Sequence, residues 1–331
     1  MNMPPTAHGL QPAQWVRDGW AVQPESIDQI LAFTMRLTQL GPAVGGYVWR
    51  GQADAAWKLE SSLQRHLRTN GLADTIPLEK AERALIEQAR NWGLGTMGAS
   101  HIPDLQLLAQ MQHHGVPTRL IDVSRDPFTA LWFACSDLPD RDGILFAVDA
   151  EYSKETHERP WGTWDDVGDP LRNALKRILE MADTHPVVLV PTIRDARMTA
   201  QQGAFLIGML PDGLVPAAPW AAVTDCLAFG LHAKPADLNA LLHDASVNLD
   251  ESAPRFAAAI IPAAWKGRLL EVLKAMGKSH QTLYPDLAGF ALALAQRDVT
   301  VDFTPDWQQP ETIAEAIPAV ADTDYAGMIT N

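Results

Sequence analysis

The sequence predicts an α+β fold in one large domain, and two observations lead to this prediction. Segments with apolar residues at helical spacing are mixed irregularly with short apolar runs, so a regular strand–helix–strand series is absent. No long Gly-, Ser- or Pro-rich linker separates the polar clusters of the chain, and 331 residues are enough to bury one large core.

The elements of the first half follow from local signals. Ser26 is a predicted N-cap for a helix whose apolar stripe starts at Ile27. A short strand is predicted over 47–49, ending at Arg50-Gly51, and the apolar stripe of 78–92 predicts a second helix.

The next elements surround a dense polar segment. Asp104 opens a predicted helix that the Gly-Val-Pro run 115–117 ends, and 119–122 reads as a short extended piece. Asp126-Pro127 places a proline at the first position of another helix, and a buried strand is predicted over 144–148.

The second half contains weaker signals, and residues 1–24 and 298–331 are predicted to be an N-terminal leader and a C-terminal tail around one domain over 25–297. Helices are predicted over 170–181, 265–276 and 287–296, and strands over 187–191, 204–207 and 256–261.

The overall composition limits the function classes. Hydrophobic residues make up 47% of the chain and the formal charge is −14, which is typical of a folded protein and argues against broad electrostatic binding of nucleic acid. No apolar run reaches the length of a membrane span and the start lacks a secretory signal, so we expect a cytoplasmic protein. Two cysteines, one of them Cys135 in an apolar run, predict neither a disulfide framework nor a zinc site, and no metal is expected.

The first candidate site cluster is Trp49-Arg50-Gly51-Gln52 at a strand end. An arginine there can grip a phosphate or carboxylate with its guanidinium fork, and glycine allows close approach of a ligand. The alternative is an exposed arginine at a strand end.

The second cluster is denser in hydrogen-bonding groups than a core segment tolerates, and its turn is suited to line a pocket. The alternative is a structural network in which Asp122 pairs with Arg119. The cluster comprises Gln110, Gln112, His113, His114, Gly115, Pro117, Thr118, Arg119, Asp122, Ser124 and Arg125. A third cluster, suited to a sugar or a base edge, comprises Arg197, Gln201, Gln202, Gly203 and Phe205.

These motifs resemble the FRG domain, which is named for an aromatic-Arg-Gly motif. The resemblance extends over about residues 25–297. It rests first on Trp49-Arg50-Gly51-Gln52, followed by Trp57, Ser62, Leu63 and Arg65. The other signatures are the run 112–122 (QHHGVPTRLID) continuing into Pro127, Ala130 and Phe133-Ala134, then Gln201 to Phe205, and an end with Leu273, Gly277, Thr282, Leu283-Tyr284-Pro285-Asp286-Leu287 and Gly289.

A more distant resemblance is to ADP-ribosyltransferases, since four segments occur in the order of that family. They are 47–51, 122–124, 130–134 and 143–146. The resemblance implies small mixed or antiparallel sheets around a cleft, with helices outside. The sequence departs from the ADP-ribosyltransferase pattern at two places. The family's Ser-Thr-Ser motif is reduced to Asp122-Val123-Ser124, and Gln201-Gln202-Gly203 stands where the family's late catalytic Glu is expected.

The first hypothesis is therefore an NAD-consuming ADP-ribosyltransferase, a toxin or phage-defence effector that transfers ADP-ribose to an unknown macromolecular acceptor. Arg50, His113, Asp122 and Ser124 are its predicted catalytic residues. Asp122 is the first choice for the carboxylate that stabilises the oxocarbenium-like state, with Glu79 and Glu82 as reserves. The predicted NAD-binding residues are Trp49, Gly51, Gln52, Gln112, Thr118, Arg119 and Gln202.

Two alternatives remain at this point. One is a ligand-sensing or protein-binding module without chemistry, with an antitoxin or another protein as partner. The other is a hydrolase or nuclease built on His113, His114, Asp122 and Asp126, although adjacent histidines point in different directions and make a poor metal pair.

Overall fold

The computed structural model describes residues 16, 21–40, 46–57, 59–97, 100–149, 151–152, 187–191, 194–207, 238, 242 and 256–295. The chain divides into two compact units, Met1–Asp286 and Leu287–Asn331. The predicted helix over 170–181 and the predicted tail lie outside the described residues.

The first unit mixes helices and strands, which confirms the predicted α+β class. Its strands are β1 (Ala21–Val22), β2 (Tyr47–Gln52), β3 (Thr96–Met97), β4 (Ser100–His101), β5 (Ile121–Ser124), β6 (Gly143–Asp149), β7 (Glu151–Tyr152), β8 (Val187–Leu189), β9 (Gly203–Ile207) and β10 (Phe256–Ile261). Its helices are α1 (Ile27–Leu40), α2 (Ser62–Thr69), α3 (Leu78–Asn91), α4 (Asp104–His113), α5 (Pro127–Cys135), α6 (Ala196–Ala200), α7 (Ala263–Ala275) and α8 (His280–Leu283). The second unit contains α9 (Leu287–Ala295).

One mixed sheet of eight strands organises the described part of the first unit, in the order β1-β10-β6-β2-β5-β9-β8-β7. Its centre is antiparallel, and β2 pairs with β6 over six residue pairs. The neighbouring contact between β2 and β5 consists of one pair, Trp49 with Ser124. The prediction of separate small sheets is therefore wrong here, because this single pair joins β2 and β6 to β5 and β9.

The two faces of the sheet carry alternating residues, as the two-residue period of a strand requires. Val48, Ile144 and Phe146 point into one apolar cluster. Trp49 and Leu145 point to the opposite face, where α5 and other helices cover them.

Helix α5 lies unusually close to the sheet because two glycines leave room for it. A Cβ on Gly51 would fall on the carbonyl oxygen of Ala130, and one on Gly143 would fall on that of Ala134. This contact fixes the helix directly over the strand that carries Arg50.

Among the described residues, no helix combines the length and apolar character needed to cross a membrane.

Candidate functional site

Arg50 is at the point where β2 and β5 separate. After the Trp49–Ser124 pair the ladder stops, and the Arg50 guanidinium spans the gap. Its Nη1 donates to the main-chain oxygen of Asp122 at 2.8 Å and lies 3.6 Å from the Asp122 carboxylate. The Arg50 side chain is 28% exposed and that of Asp122 is 57% exposed, so both can meet a ligand.

The guanidinium of Arg50 is only partly satisfied by its neighbours. Burial lowers its pKa, the Asp122 charge acts in the opposite direction, and the positive charge of Arg65 lowers it further. Its Nε is buried and donates to no acceptor among the described residues. A buried donor without an acceptor is costly, whereas the exposed part of the guanidinium is open to an anionic ligand group.

Gln112 fixes the other side of the Asp122 carboxylate. Its Nε2 donates to Asp122 Oδ2 at 2.9 Å. Its Oε1 accepts from the hydroxyls of Thr118 at 2.8 Å and Ser62 at 3.3 Å. Because the amide oxygen is occupied by donors, the amide nitrogen must face Asp122.

Helix α2 supports this amide, and the sequence analysis did not predict that helix. Thr118 N donates to Ser62 Oγ at 3.0 Å, and Leu63 N donates to Thr118 O at 2.9 Å. The sequence does contain a helix-start signal there, because Ser61 is an N-cap residue whose side chain accepts a hydrogen bond from Gln64 N. Ser62 belongs to the residues that resemble the FRG domain, but its role in supporting the Gln112 amide was not predicted.

His113 follows Gln112 at the end of α4 and contacts a second carboxylate. Its Nδ1 lies 3.1 Å from Asp195 Oδ2, and the side chain is 27% exposed. Asp195 is fixed as the N-cap of α6, where its Oδ1 accepts from Met198 N at 2.7 Å. Asp195 therefore orients His113, a role that nothing in its local sequence indicated.

Ser124 and Gln202 do not contact Arg50 in the way expected of site residues. Ser124 is buried, and its hydroxyl donates to Gln201 O at 2.7 Å and accepts from Asp126 N at 2.9 Å. Gln202 is exposed in a left-handed turn with φ of 47°, and its carbonyl accepts from Arg125 N. Both residues shape the turn between α6 and β9.

The neighbours of Arg50 along β2 are part of the core. Trp49 is 2% exposed and packs with the α5 face of the sheet, and Gln52 is also buried. Gly51 lies under Ala130. These three predicted ligand contacts therefore hold the strand in place instead of facing a ligand.

Arg119 forms a buried ion pair with Glu82, with Nε 2.6 Å from Oε2. The expected alternative, in which Arg119 pairs with Asp122, is not formed. Arg119 cannot reach a ligand from this position, and Glu82 is unsuited as a reserve carboxylate. The side chain of Glu79 lies outside the described residues.

The histidine and aspartate set of the hydrolase hypothesis is not assembled. Asp126 is the N-cap of α5 and pairs with Lys278. Burial acts to raise the pKa of Asp126. The pKa is nevertheless held below its ordinary value by hydrogen bonds from Lys278 and Thr129 and by the positive charge of Lys278. Within the described ranges, no group of three or more His, Cys, Asp or Glu could hold a metal ion.

The comparison with protein families agrees with this part of the structure. Residues 45–143 match the family model of the FRG domain, which confirms the predicted FRG resemblance for this segment. The match includes Arg50, Gln112, Thr118 and Asp122. No curated protein and no solved structure is similar enough to match the chain.

Proposed function

We propose that the FRG domain of this chain uses NAD as a substrate, breaks its nicotinamide–ribose bond and transfers ADP-ribose to a macromolecular acceptor. One observation carries the proposal. A partly satisfied guanidinium and an exposed carboxylate, those of Arg50 and Asp122, lie 3.6 Å apart where two strands separate.

Arg50 suits the diphosphate of NAD. Its Nη1 is committed to Asp122, but the side chain is 28% exposed, so the rest of the guanidinium can donate to an anionic group. Arg65 on α2 adds a second positive charge to the surroundings of Arg50. Two guanidinium groups near one point favour a ligand with more than one negative charge.

Asp122 suits the positive charge that develops on the ribose when nicotinamide leaves. Gln112 donates to Oδ2, whereas Oδ1 accepts no hydrogen bond from the described residues. Because Gln112 and Arg50 hold the carboxylate from two sides, it is pre-oriented before substrate binds. Fixed charges of this kind stabilise a transition state without reorganisation.

In the bond-breaking step, the C1′–N bond of the ribose breaks and its electron pair passes to the nicotinamide ring nitrogen, which leaves neutral. The acceptor attacks C1′ and loses a proton. We assign that proton to His113, since Nδ1 is taken by Asp195 and Nε2 remains for the acceptor.

A second candidate is a module without chemistry that uses the same surface to bind a ligand or a protein partner such as an antitoxin. One observation favours it. Trp49, Arg119 and Ser124, three residues expected at an NAD site, have structural roles. In this case NAD or a related anion binds but is not consumed.

The test incubates pure, folded protein with NAD and a cell extract, and follows nicotinamide release and transfer of labelled ADP-ribose. Arg50→Ala is the loss-of-site variant, and Arg268→Ala is its matched control because Arg268 is an exposed residue that pairs with Glu271 on the same helix. Release with wild type and control but not with Arg50→Ala supports transfer. NAD binding without release supports the binding module, and neither binding nor release contradicts both.

A further inference from the structure

Tyr284 is held rigidly by groups on several sides. His280 stacks on its ring with centroids 4.7 Å apart, and the Arg197 guanidinium lies 4.7 Å from the ring centroid. The rings of Trp132 and Phe133 approach at 6.1 and 6.3 Å. A side chain held in this way has its hydroxyl in a defined position.

Two clamps fix the segment that carries this ring. Asp286 accepts from Arg197 Nε and Nη2 at 3.0 and 3.1 Å. Gln201 Nε2 donates to Leu283 O at 3.0 Å. Since His280 and Arg197 lie against the ring, stacking of a ligand on Tyr284 is disfavoured, and the group it can offer is the hydroxyl.

A chain of contacts relates Tyr284 to Asp122. Asp122 and Ser124 are on the same face of β5, because they are two residues apart in a strand. The Ser124 hydroxyl donates a hydrogen bond to Gln201 O, and Gln201 Nε2 donates one to the main-chain oxygen of Leu283, the residue before Tyr284. Tyr284 therefore belongs to the face of β5 that presents Asp122.

The electrostatics agree with this placement. Burial raises the pKa of Tyr284, the Arg197 charge lowers it, and the charges of Asp122 and Asp286 raise it. The phenol is therefore neutral at physiological pH and can donate its proton in a hydrogen bond. The contribution of the Asp122 charge agrees with a hydroxyl on the Asp122 side of the site.

We propose that Tyr284 is a ligand-binding residue whose hydroxyl donates to an oxygen of the ribose that bears the nicotinamide. This inference rests on the proposed function, in which Asp122 faces that ribose and Arg50 the diphosphate. It assigns the Leu283-Tyr284-Pro285-Asp286 motif, which the proposed reaction did not use, to recognition of the sugar.

Two ligands separate this contact from the diphosphate contact. ADP-ribose contains the terminal ribose, and ADP lacks it but keeps the diphosphate. Calorimetric titration of Tyr284→Phe, which keeps the ring, is expected to show binding of ADP-ribose weakened about tenfold and binding of ADP unchanged. Tyr47→Phe is the matched control, since it removes the same hydroxyl from the start of β2 and should alter neither affinity.

The unfolding temperature of each variant is measured first to establish that it is folded. Unchanged affinity of Tyr284→Phe for ADP-ribose overturns the inference, and so does an equal loss for ADP-ribose and ADP. In both cases the proposed function is not contradicted, because the wild-type protein still binds ADP-ribose. If wild-type protein binds neither ligand, the proposed function is wrong and the inference falls with it.

Discussion

Arg119 and Glu82 form an ion pair in which the side chains are only 1% and 0% exposed, and Nε and Oε2 are 2.6 Å apart. Both charges have been removed from water, and each offsets part of the other's desolvation. The pair joins α3 to the segment before β5, and it thereby supports the strand that presents Asp122.

Arg119→Met is therefore expected to destabilise the fold by about 3–5 kcal/mol, because it removes the positive charge that faces a buried carboxylate. Urea unfolding measures the effect. The double variant Glu82→Leu with Arg119→Met removes both charges and should be markedly more stable than the single variant. A double variant no more stable than the single one contradicts this account.

Arg50→Lys tests the guanidinium fork while a positive charge is kept. We expect affinity for ADP to fall at least about tenfold, because lysine cannot replace the planar donors. The free energy of unfolding should change by less than about 0.5 kcal/mol, as is usual for partly exposed residues. Arg268→Lys is the control, and equal ADP affinity in wild type and Arg50→Lys would exclude Arg50 as the anion contact.

Thr118→Val removes a hydroxyl that donates to Gln112 and accepts from Leu120 N. Valine has the same shape, so the expected loss of about 1–3 kcal/mol reflects unsatisfied polar groups. Thr118→Ser keeps the hydroxyl and is the matched comparison. In chemical denaturation, the free energy of unfolding should be higher for wild type and Thr118→Ser than for Thr118→Val. Thr118→Val should also weaken ADP-ribose binding, because the Gln112 amide is no longer oriented.

The stability of the protein should fall in acid partly through Asp126. Its pKa is held below the ordinary value of about 3.9, so the stabilisation is present above that value and disappears as pH falls through the lower, folded-state pKa. Asp126→Asn keeps a capping oxygen but lacks the charge. Unfolding free energies between about pH 2 and pH 7 should show that the difference between wild type and this variant shrinks in acid.

Asp140→Asn provides the control for that series, because Asp140 is an exposed aspartate in the loop after α5. Its difference from wild type should stay near zero across the same range. A wild-type minus Asp126→Asn difference that is independent of pH would show that the carboxylate charge does not stabilise the fold.

Gly51→Ala should destabilise the fold by about 3 kcal/mol, since the new Cβ meets the main chain of α5, which cannot move aside as a side chain can. Gly267→Ala is the opposite case. No atom lies within 4 Å of its added Cβ, and alanine favours a helix, so a small gain in stability is expected. Thermal unfolding of both variants distinguishes lack of space from the general effect of losing a glycine.

Local signals in the sequence predicted many elements well. Asp126-Pro127 marked the start of α5 correctly, and Phe256–Ile261 forms the strand predicted there. Short elements were missed, because α2 and α6 depend on single caps, Ser61 and Asp195, more than on a long apolar stripe. Strand β1, within the predicted leader, is two residues long and is defined by pairing with β10, which local sequence cannot reveal.

For the candidate site, too, some residues could be predicted from the sequence and others could not. Residue type and order led to Arg50, Gln112 and Asp122, which the structure places together. Sequence could not separate them from Arg119, because its partner Glu82 is 37 positions away along the chain (119 minus 82) and the pairing is tertiary. Trp49 was similarly ambiguous, since an aromatic residue beside a site arginine suits a core as well as a ligand.

The single residue pair between β2 and β5 also has a mechanical meaning. Six residue pairs join β2 to β6 and four join β5 to β9. The ladder between β2 and β5 consists of the Trp49–Ser124 pair, and the Arg50 side chain adds its bond to the Asp122 main chain. The bending stiffness of the sheet is therefore lowest along this line. A small change of twist there would alter the separation of Arg50, on β2, from Asp122, on β5, before it strains either neighbouring ladder.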